Sequence, residues 1–149
     1  MKLSANFSRE EFERSGRMPE ACVESYRKLC SQVLESVRTK FGRPVNITSG
    51  YRSPEANARV GGSPASQHVA NLLKCAADFQ IPGISVVEVF DWIRLKSGLP
   101  FDQLILEFGS KEELETDDCI HVSWTPNPRR IALVGATRNR TPYVRVEVA

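Results

Sequence analysis

The chain has 149 residues, of which 41 % are hydrophobic and 26 % are charged, so we expect one ordinary globular domain spanning residues 1–149. The formal net charge is only +2, and basic and acidic residues are mixed, which excludes the basic stripe typical of a nucleic-acid-binding protein. No segment is apolar for long enough to form a secretion signal or to span a membrane. We therefore expect a monomer that is made in the cytoplasm and does not enter the membrane.

The first third of the sequence predicts helices. Ser8 and Glu11 form a capping-box pattern before a short helix. Pro19 opens a longer helix, whose apolar residues recur at helical spacing as far as Phe41 and which Gly42 ends. This helix should bury one apolar stripe against a sheet.

Shorter elements follow in the remaining two thirds. A strand is predicted over residues 45–48, a sharp turn over 49–54 and a short helix over 54–60. Ser85 and Glu88 form a second capping box before another helix. The further strands are predicted over residues 76–81, 103–108, 120–124, 131–134 and 143–148. Helices first and short strands later predict an α+β domain, with a small antiparallel sheet and flanking helices.

The chain has only two histidines, and each has an acidic residue nearby. His68 precedes Asp78 with nine residues between them, and Asp118 precedes His121 with two between them. A catalytic zinc usually has three protein ligands and one water, and histidines with one carboxylate are a frequent set. Zinc lowers the pKa of bound water to about 7, and a neighbouring carboxylate then takes the proton. The pattern indicates a zinc site, although its spacing is only moderately specific.

Several segments resemble the zinc D-alanyl-D-alanine carboxypeptidase family, in the same order along the chain. They read ITSGYRSPEANARVGGSPASQHV, CAADF, FDQLILEF and DCIHVSW, and the opening NFSREEFERS is similar to that of phage-encoded and phage-like members. The family shares its fold with the lysostaphin-type peptidases and the amino-terminal domain of hedgehog proteins. The resemblance implies that fold, and a metallopeptidase that cuts peptidoglycan stem peptides at or near D-alanine.

The resemblance also implies roles for individual residues. The implied zinc ligands are His68, Asp78 and His121. Asp118, three residues before the second histidine, is the implied base. Arg52, in the SGYRS turn, is implied to contact the substrate near the scissile bond or at its terminal carboxylate, a task suited to the fixed fork of a guanidinium. Ser66 matches a small polar residue that shapes the substrate site.

The third ligand departs from the family spacing. Six residues usually separate the first histidine from the aspartate, and at that spacing this chain has Cys75. Either residues 69–74 form a lengthened loop and Asp78 keeps its place in an Ala-Ala-Asp strand, or the Cys75 thiolate is the ligand. No two cysteines form a CxxC pair, and we expect all four to be reduced and mostly buried.

The base also has alternatives. Asp117 lies beside Asp118, and Glu107 lies on a predicted strand that could border the metal. Thr116 stands where some family members carry a further histidine. Arg129 and Arg130 follow a Pro-Asn-Pro turn and could touch an anionic wall polymer, although solvated surface charges are the simpler expectation.

The sequence leaves the exact activity open. Carboxypeptidase, dipeptidase and endopeptidase members differ in the loops that close the cleft, and the source of the chain is either viral or bacterial. Two alternative functions are a non-catalytic zinc-binding or wall-recognition module of the same fold, and a structural component of a phage particle. A wall hydrolase without a secretion signal would reach its substrate after release or delivery by another system.

Overall fold

A computed structural model describes residues 1–108, 118–135 and 142–149 of the chain. Its helices are a short 3-10 helix at Arg9–Phe12, α1 at Glu20–Leu29, α2 at Glu35–Phe41, α3 at Pro54–Arg59 and α4 at Val86–Leu95. Its strands are β1 at Asn46–Ser49, β2 at Cys75–Gln80, β3 at Gln103–Glu107, β4 at Cys119–Trp124, β5 at Ile131–Gly135 and β6 at Tyr143–Val146. The predicted α+β class is confirmed.

The six strands form one sheet in the order β1-β2-β4-β3-β5-β6. The prediction of an antiparallel sheet holds for every neighbouring pair except β3 and β5, which run parallel. The exception arises because the chain leaves β4, crosses the beginning of β3 and pairs on its far side. Backbone N–H groups of Arg130 and Ile131 donate to the carbonyls of Phe101 and Asp102 at 3.1 and 3.0 Å, which fixes this crossing.

The long helix predicted after Pro19 is continuous but not uniform. A π-helical turn at Cys30–Leu34 joins α1 to α2, a feature that the sequence periodicity did not predict. The helix ends at Gly42, whose φ of 65° is the left-handed conformation that favours glycine. Tyr26 donates a 2.8 Å hydrogen bond from its hydroxyl to the Ala76 carbonyl, which ties the helix to β2. Within the described residues, no helix combines the length and apolarity that crossing a membrane requires.

The central strands β2 and β4 have two chemically different faces, because successive side chains of a strand point to opposite sides. Ala77, Phe79, Ile120 and Val122 are fully buried in the core against the helices. Asp78 and His121 alternate with these residues and therefore lie on the other face. The sheet thus places its polar central residues away from the helices, on the face where the candidate site is found.

Candidate metal centre

The three predicted metal ligands lie together in the structure. Asp78 and His121 are directly opposite each other in the antiparallel pairing of β2 and β4, and His68 comes from the loop before β2. The Oδ1 atom of Asp78 lies 3.1 Å from His68 Nε2 and 3.1 Å from His121 Nδ1, and the two ring nitrogens are 3.2 Å apart. All three side chains are buried.

The proton positions on His68 show that this donor set fits a cation. His68 Nδ1 lies 2.7 Å from the Gly50 carbonyl oxygen, which can only accept a hydrogen bond, so Nδ1 carries the proton. In the neutral ring Nε2 then presents a lone pair toward the carboxylate of Asp78. Ligand atoms of a tetrahedral zinc with bonds of about 2.0–2.1 Å are roughly 3.3 Å apart. The observed spacing of 3.1–3.2 Å is close to that of one face of such a tetrahedron.

The orientation of His68 depends on a tight backbone contact at Gly50. A Cβ atom on Gly50 would lie 2.5 Å from the carbonyl oxygen of Phe12. The N–H of Tyr51 donates to that same oxygen at 2.9 Å, and the N–H of Arg52 donates to the His68 carbonyl at 2.9 Å. Gly50 is therefore held between the N-terminal segment and the ring that it orients.

We expect Gly50→Ala to lower both stability and metal affinity. The added methyl group meets backbone atoms that cannot move aside cheaply, and such overpacking costs about 1–3 kcal/mol of unfolding free energy. Any shift of the Gly50 carbonyl also releases the His68 ring from its orientation. Chemical denaturation and a zinc titration of the variant measure the two effects, and unchanged values in both would show that the contact is unimportant.

Neighbouring side chains keep the Asp78 carboxylate ionised, and Arg52 donates a hydrogen bond to its second oxygen. Although burial raises the pKa of this carboxyl, the positive charge of His68 and His121 when their rings are protonated, together with the hydrogen bonds of both rings, outweighs it and lowers the pKa well below its usual range. The Arg52 guanidinium donates from Nη2 to Asp78 Oδ2 at 3.5 Å, and from Nη1 to Asn57 Oδ1 at 3.3 Å. Arg52 therefore borders the ligand group and orients Asp78.

Cys75 lies away from this cluster. It is three residues before Asp78 on the same strand, which puts the two side chains on opposite faces of the sheet. Its thiol is buried in the core, and this burial raises its pKa well above the ordinary value, so that the thiol stays protonated. The structure brings Asp78, not Cys75, to the two histidines. None of the four cysteines forms a disulfide, and all four are buried, as predicted.

We expect Cys75→Ala to keep the metal, and Asp78→Asn to lose it. The cysteine variant leaves a small cavity in the core and should be somewhat less stable, but it leaves all three donor atoms in place. The asparagine variant keeps the shape of Asp78 but removes its charge. Metal analysis of the two purified proteins compares them directly, and loss of metal in the cysteine variant alone would reverse the assignment.

The ligand cluster lies in a cleft on this face of the sheet. The cleft is lined, among others, by Arg52, Ser66, Lys74, Gln103, Glu107 and Arg129. Both predicted substrate-contacting residues, Arg52 and Ser66, thus border it. The Ser66 hydroxyl accepts a 3.3 Å hydrogen bond from the His68 N–H, which stabilises the turn that leads into the first ligand.

Asp118, the residue predicted to act as the base, is not placed in the cleft with the candidate ligands. It is buried directly before β4 and is not among the residues that line the cleft. The alternative base Asp117, and Thr116 beside it, lie outside the described residues.

Glu107 is the acidic residue that lies beside the candidate ligands. It is on β3 opposite Cys119, and its carboxylate, the Cys119 sulfur and the Asp78 carboxylate have atoms within 4.8 Å of one another. Tyr143 donates to Glu107 Oε1 at 3.3 Å. Among the described residues, Asp78 and Glu107 are the acids that line the cleft.

Gln67, which lines the cleft, and its buried partner Asp102 were not singled out from the sequence. Gln67 and Asp102 are joined by a 2.9 Å hydrogen bond from Gln67 Nε2 to Asp102 Oδ2, and the same carboxylate binds Arg129. Gln67 lies near the end of the segment ITSGYRSPEANARVGGSPASQHV, and Asp102 lies in FDQLILEF, both of which resemble the family. Their position within these segments was a signal that could have marked them.

Comparison with known proteins identifies the family. The model of the family described as peptidase M15 matches residues 5–112, well over half of the chain. The matched stretch contains His68, Asp78, Arg52 and Glu107 and ends before His121. None of the curated proteins matches the chain. Because the family model covers most of the sequence and the histidines and aspartate of the cleft form one cluster, the chain belongs to the peptidase M15 family.

Proposed function

We propose that this protein is a zinc-dependent peptidase that cuts peptidoglycan stem peptides at or near D-alanine. The observation that carries the proposal is the convergence of His68, Asp78 and His121 within 3.1–3.2 Å on the floor of a cleft. Membership of the M15 family supports the hydrolysis of a peptide bond. A zinc ion bound there would supply Lewis acidity to the scissile carbonyl and lower the pKa of water from 15.7 to about 7.

Glu107 is our proposed base. Its carboxylate would take the proton of the attacking water and deliver it to the leaving amine. Its place in the cleft wall, near the Asp78 carboxylate, supports this role. The family resemblance assigns the role to Asp118 instead, and we prefer Glu107 because Asp118 does not line the cleft. Asp118 is the competing assignment that a matched pair of variants distinguishes.

Arg52 and Ser66 would prepare the site for the substrate. The ion pair of Arg52 with Asp78 keeps the carboxylate turned toward the two histidines, and the edge of the guanidinium that borders the cleft would orient the peptide. Ser66 would keep the loop before His68 in the shape that the substrate meets. The protein would act on the wall after its release or delivery.

Metal analysis combined with digestion of purified peptidoglycan tests the proposal. We expect one zinc per chain, and mass spectrometry of the digest should show free D-alanine or shortened stem peptides. A protein that binds zinc but leaves every wall preparation intact would instead be the non-catalytic module. A protein that binds no metal would refute the proposed mechanism.

A further inference from the structure

The turn after β4 carries Arg129, whose guanidinium is bound by the carboxylate of Asp102 and reaches the cleft. Arg129 donates to Asp102 Oδ1 from Nε at 3.0 Å and to Oδ2 from Nη2 at 2.9 Å, and its backbone N–H also donates to Oδ1 at 3.0 Å. Two parallel bonds of this kind fix both the position and the plane of a guanidinium. Arg129 is thus held rigidly although its side chain reaches the cleft.

Asp102 is suited to hold this arginine, and within residues 1–108, 118–135 and 142–149 it pairs with no other charged side chain. Its carboxylate is buried and also accepts the hydrogen bond from Gln67 Nε2. Burial raises the pKa of Asp102, but the hydrogen bonds from Arg129 and Gln67 outweigh it and lower the pKa. Gln67 directly precedes His68, so this buried carboxylate joins the arginine to the loop that carries the first candidate ligand.

The neighbouring Arg130 makes different contacts from those of Arg129. Its φ of 52° is left-handed, which is uncommon for a residue other than glycine and often marks a functional segment. Its Nε donates to the Leu99 carbonyl at 3.0 Å, and its guanidinium lies 5.3 Å from the centre of the Phe101 ring. Arg130 therefore anchors the turn, while Arg129 is left facing the cleft.

The charges of the cleft favour an anionic ligand at Arg129. Among the residues that the structure describes, its lining cations are Arg52, Lys74 and Arg129, and its lining acids are Asp78 and Glu107. The side chain of Arg52 is 18 % exposed and is paired with Asp78, whereas that of Arg129 is 57 % exposed. Two of the five guanidinium N–H donors of Arg129 point to Asp102, and in the described part of the chain the other three have no protein acceptor.

We propose, on the basis of the proposed function, that Arg129 binds a carboxylate of the substrate peptide in the same cleft as the candidate metal ligands. Asp102 and Gln67 act as positioning residues that hold the guanidinium in place. The site would thereby select an anionic peptide by a contact separate from the metal and from Arg52. A guanidinium suits the task because its remaining donors can form a fork on a carboxylate.

Synthetic peptides with the sequence of peptidoglycan stem peptides test this assignment, whether or not the digest shows cleavage. Each is prepared with its carboxylates free and with all of them amidated, and kcat and KM are measured for the zinc-loaded protein. For the acidic peptide we expect Arg129→Ala to raise KM roughly 10- to 100-fold with little change in kcat, as for hydrogen bonds to a charged group. For the amidated peptide the variant and the unmodified protein should agree. Arg17→Ala removes an exposed arginine that does not line the cleft and should behave as the unmodified protein does.

Two further measurements keep the test informative if Arg129→Ala misfolds or if the protein cleaves neither peptide. Arg129→Lys keeps the charge beside Asp102 but not the fork, so it should fold and show an intermediate KM for the acidic peptide. Calorimetric titration of both peptides into the protein measures binding without cleavage. If no peptide is cut but only the acidic peptide binds through Arg129, the proposed function fails and the carboxylate site stands. Equal KM and equal binding in the Arg129 variants and the unmodified protein, or equal losses for both peptides, would overturn the inference.

Discussion

Replacing His121 by alanine should abolish both metal binding and peptide cleavage. The imidazole is one of three donors that surround the same point, and a catalytic zinc site normally needs all three protein ligands. Loss of an outer partner alone typically costs 10- to 100-fold in metal affinity, so loss of a ligand should cost more than about 100-fold. Metal analysis after dialysis, together with the peptidoglycan digest, measures both consequences in one preparation.

A matched variant distinguishes loss of the ligand from general damage to the cleft. Gln103→Ala removes a polar side chain that lines the same cleft but is not one of the candidate ligands His68, Asp78 and His121. It should retain the metal and most of the activity. Wall cleavage that persists in metal-free His121→Ala would rule out a metal-dependent mechanism.

Replacing Glu107 by glutamine should lower kcat by about 10²- to 10⁴-fold while the metal content stays the same. Glutamine has nearly the same shape but cannot take a proton, and general acid–base catalysis typically contributes that factor. The three donors of His68, Asp78 and His121 are untouched by the change. Steady-state kinetics on the released peptide, with metal analysis of the same sample, separates the loss of a base from the loss of zinc.

Asp118→Asn is the matched control for this experiment. It removes the same chemical group from the residue that the resemblance implied, and we expect its kcat to stay within a few-fold of the unmodified protein. The reverse outcome, a large loss in Asp118→Asn and a small one in Glu107→Gln, would assign the base to Asp118. Glu107 would then be a residue of the cleft wall only.

Much of the secondary structure could be predicted because its signals are local. The capping box at Ser8, the start after Pro19 and the end at Gly42 are each properties of a few neighbouring residues, and the structure has helices at these places. The π-helical turn at Cys30–Leu34 has no such signal, since its apolar residues still fit the helical spacing. The parallel pairing of β5 with β3 depends on contacts between distant segments, which periodicity does not record.

The candidate ligands were predicted from their motifs, but their arrangement was not. Counting residues between His68 and the third ligand pointed to Cys75, whereas the alternation of one strand puts Asp78 on the face of the histidines. The spacing of Asp118 from His121 does not give its position either, because Asp118 precedes β4. Glu107 is brought near the site by the pairing of β3 with β4, and this proximity cannot be predicted from residue spacing along the chain.

The contact between Phe12 and Gly50 connects the N-terminal segment to the candidate metal site. Arg9 is buried there, donates to the Met18 carbonyl at 2.7 Å and pairs with Glu20 at 2.6 Å, so that the segment is a rigid support. The Phe12 backbone packs against Gly50, and the Gly50 carbonyl accepts the hydrogen bond that orients the ring of His68. We expect a sequence change in this segment to weaken metal affinity, although Phe12 itself is fully buried in the core.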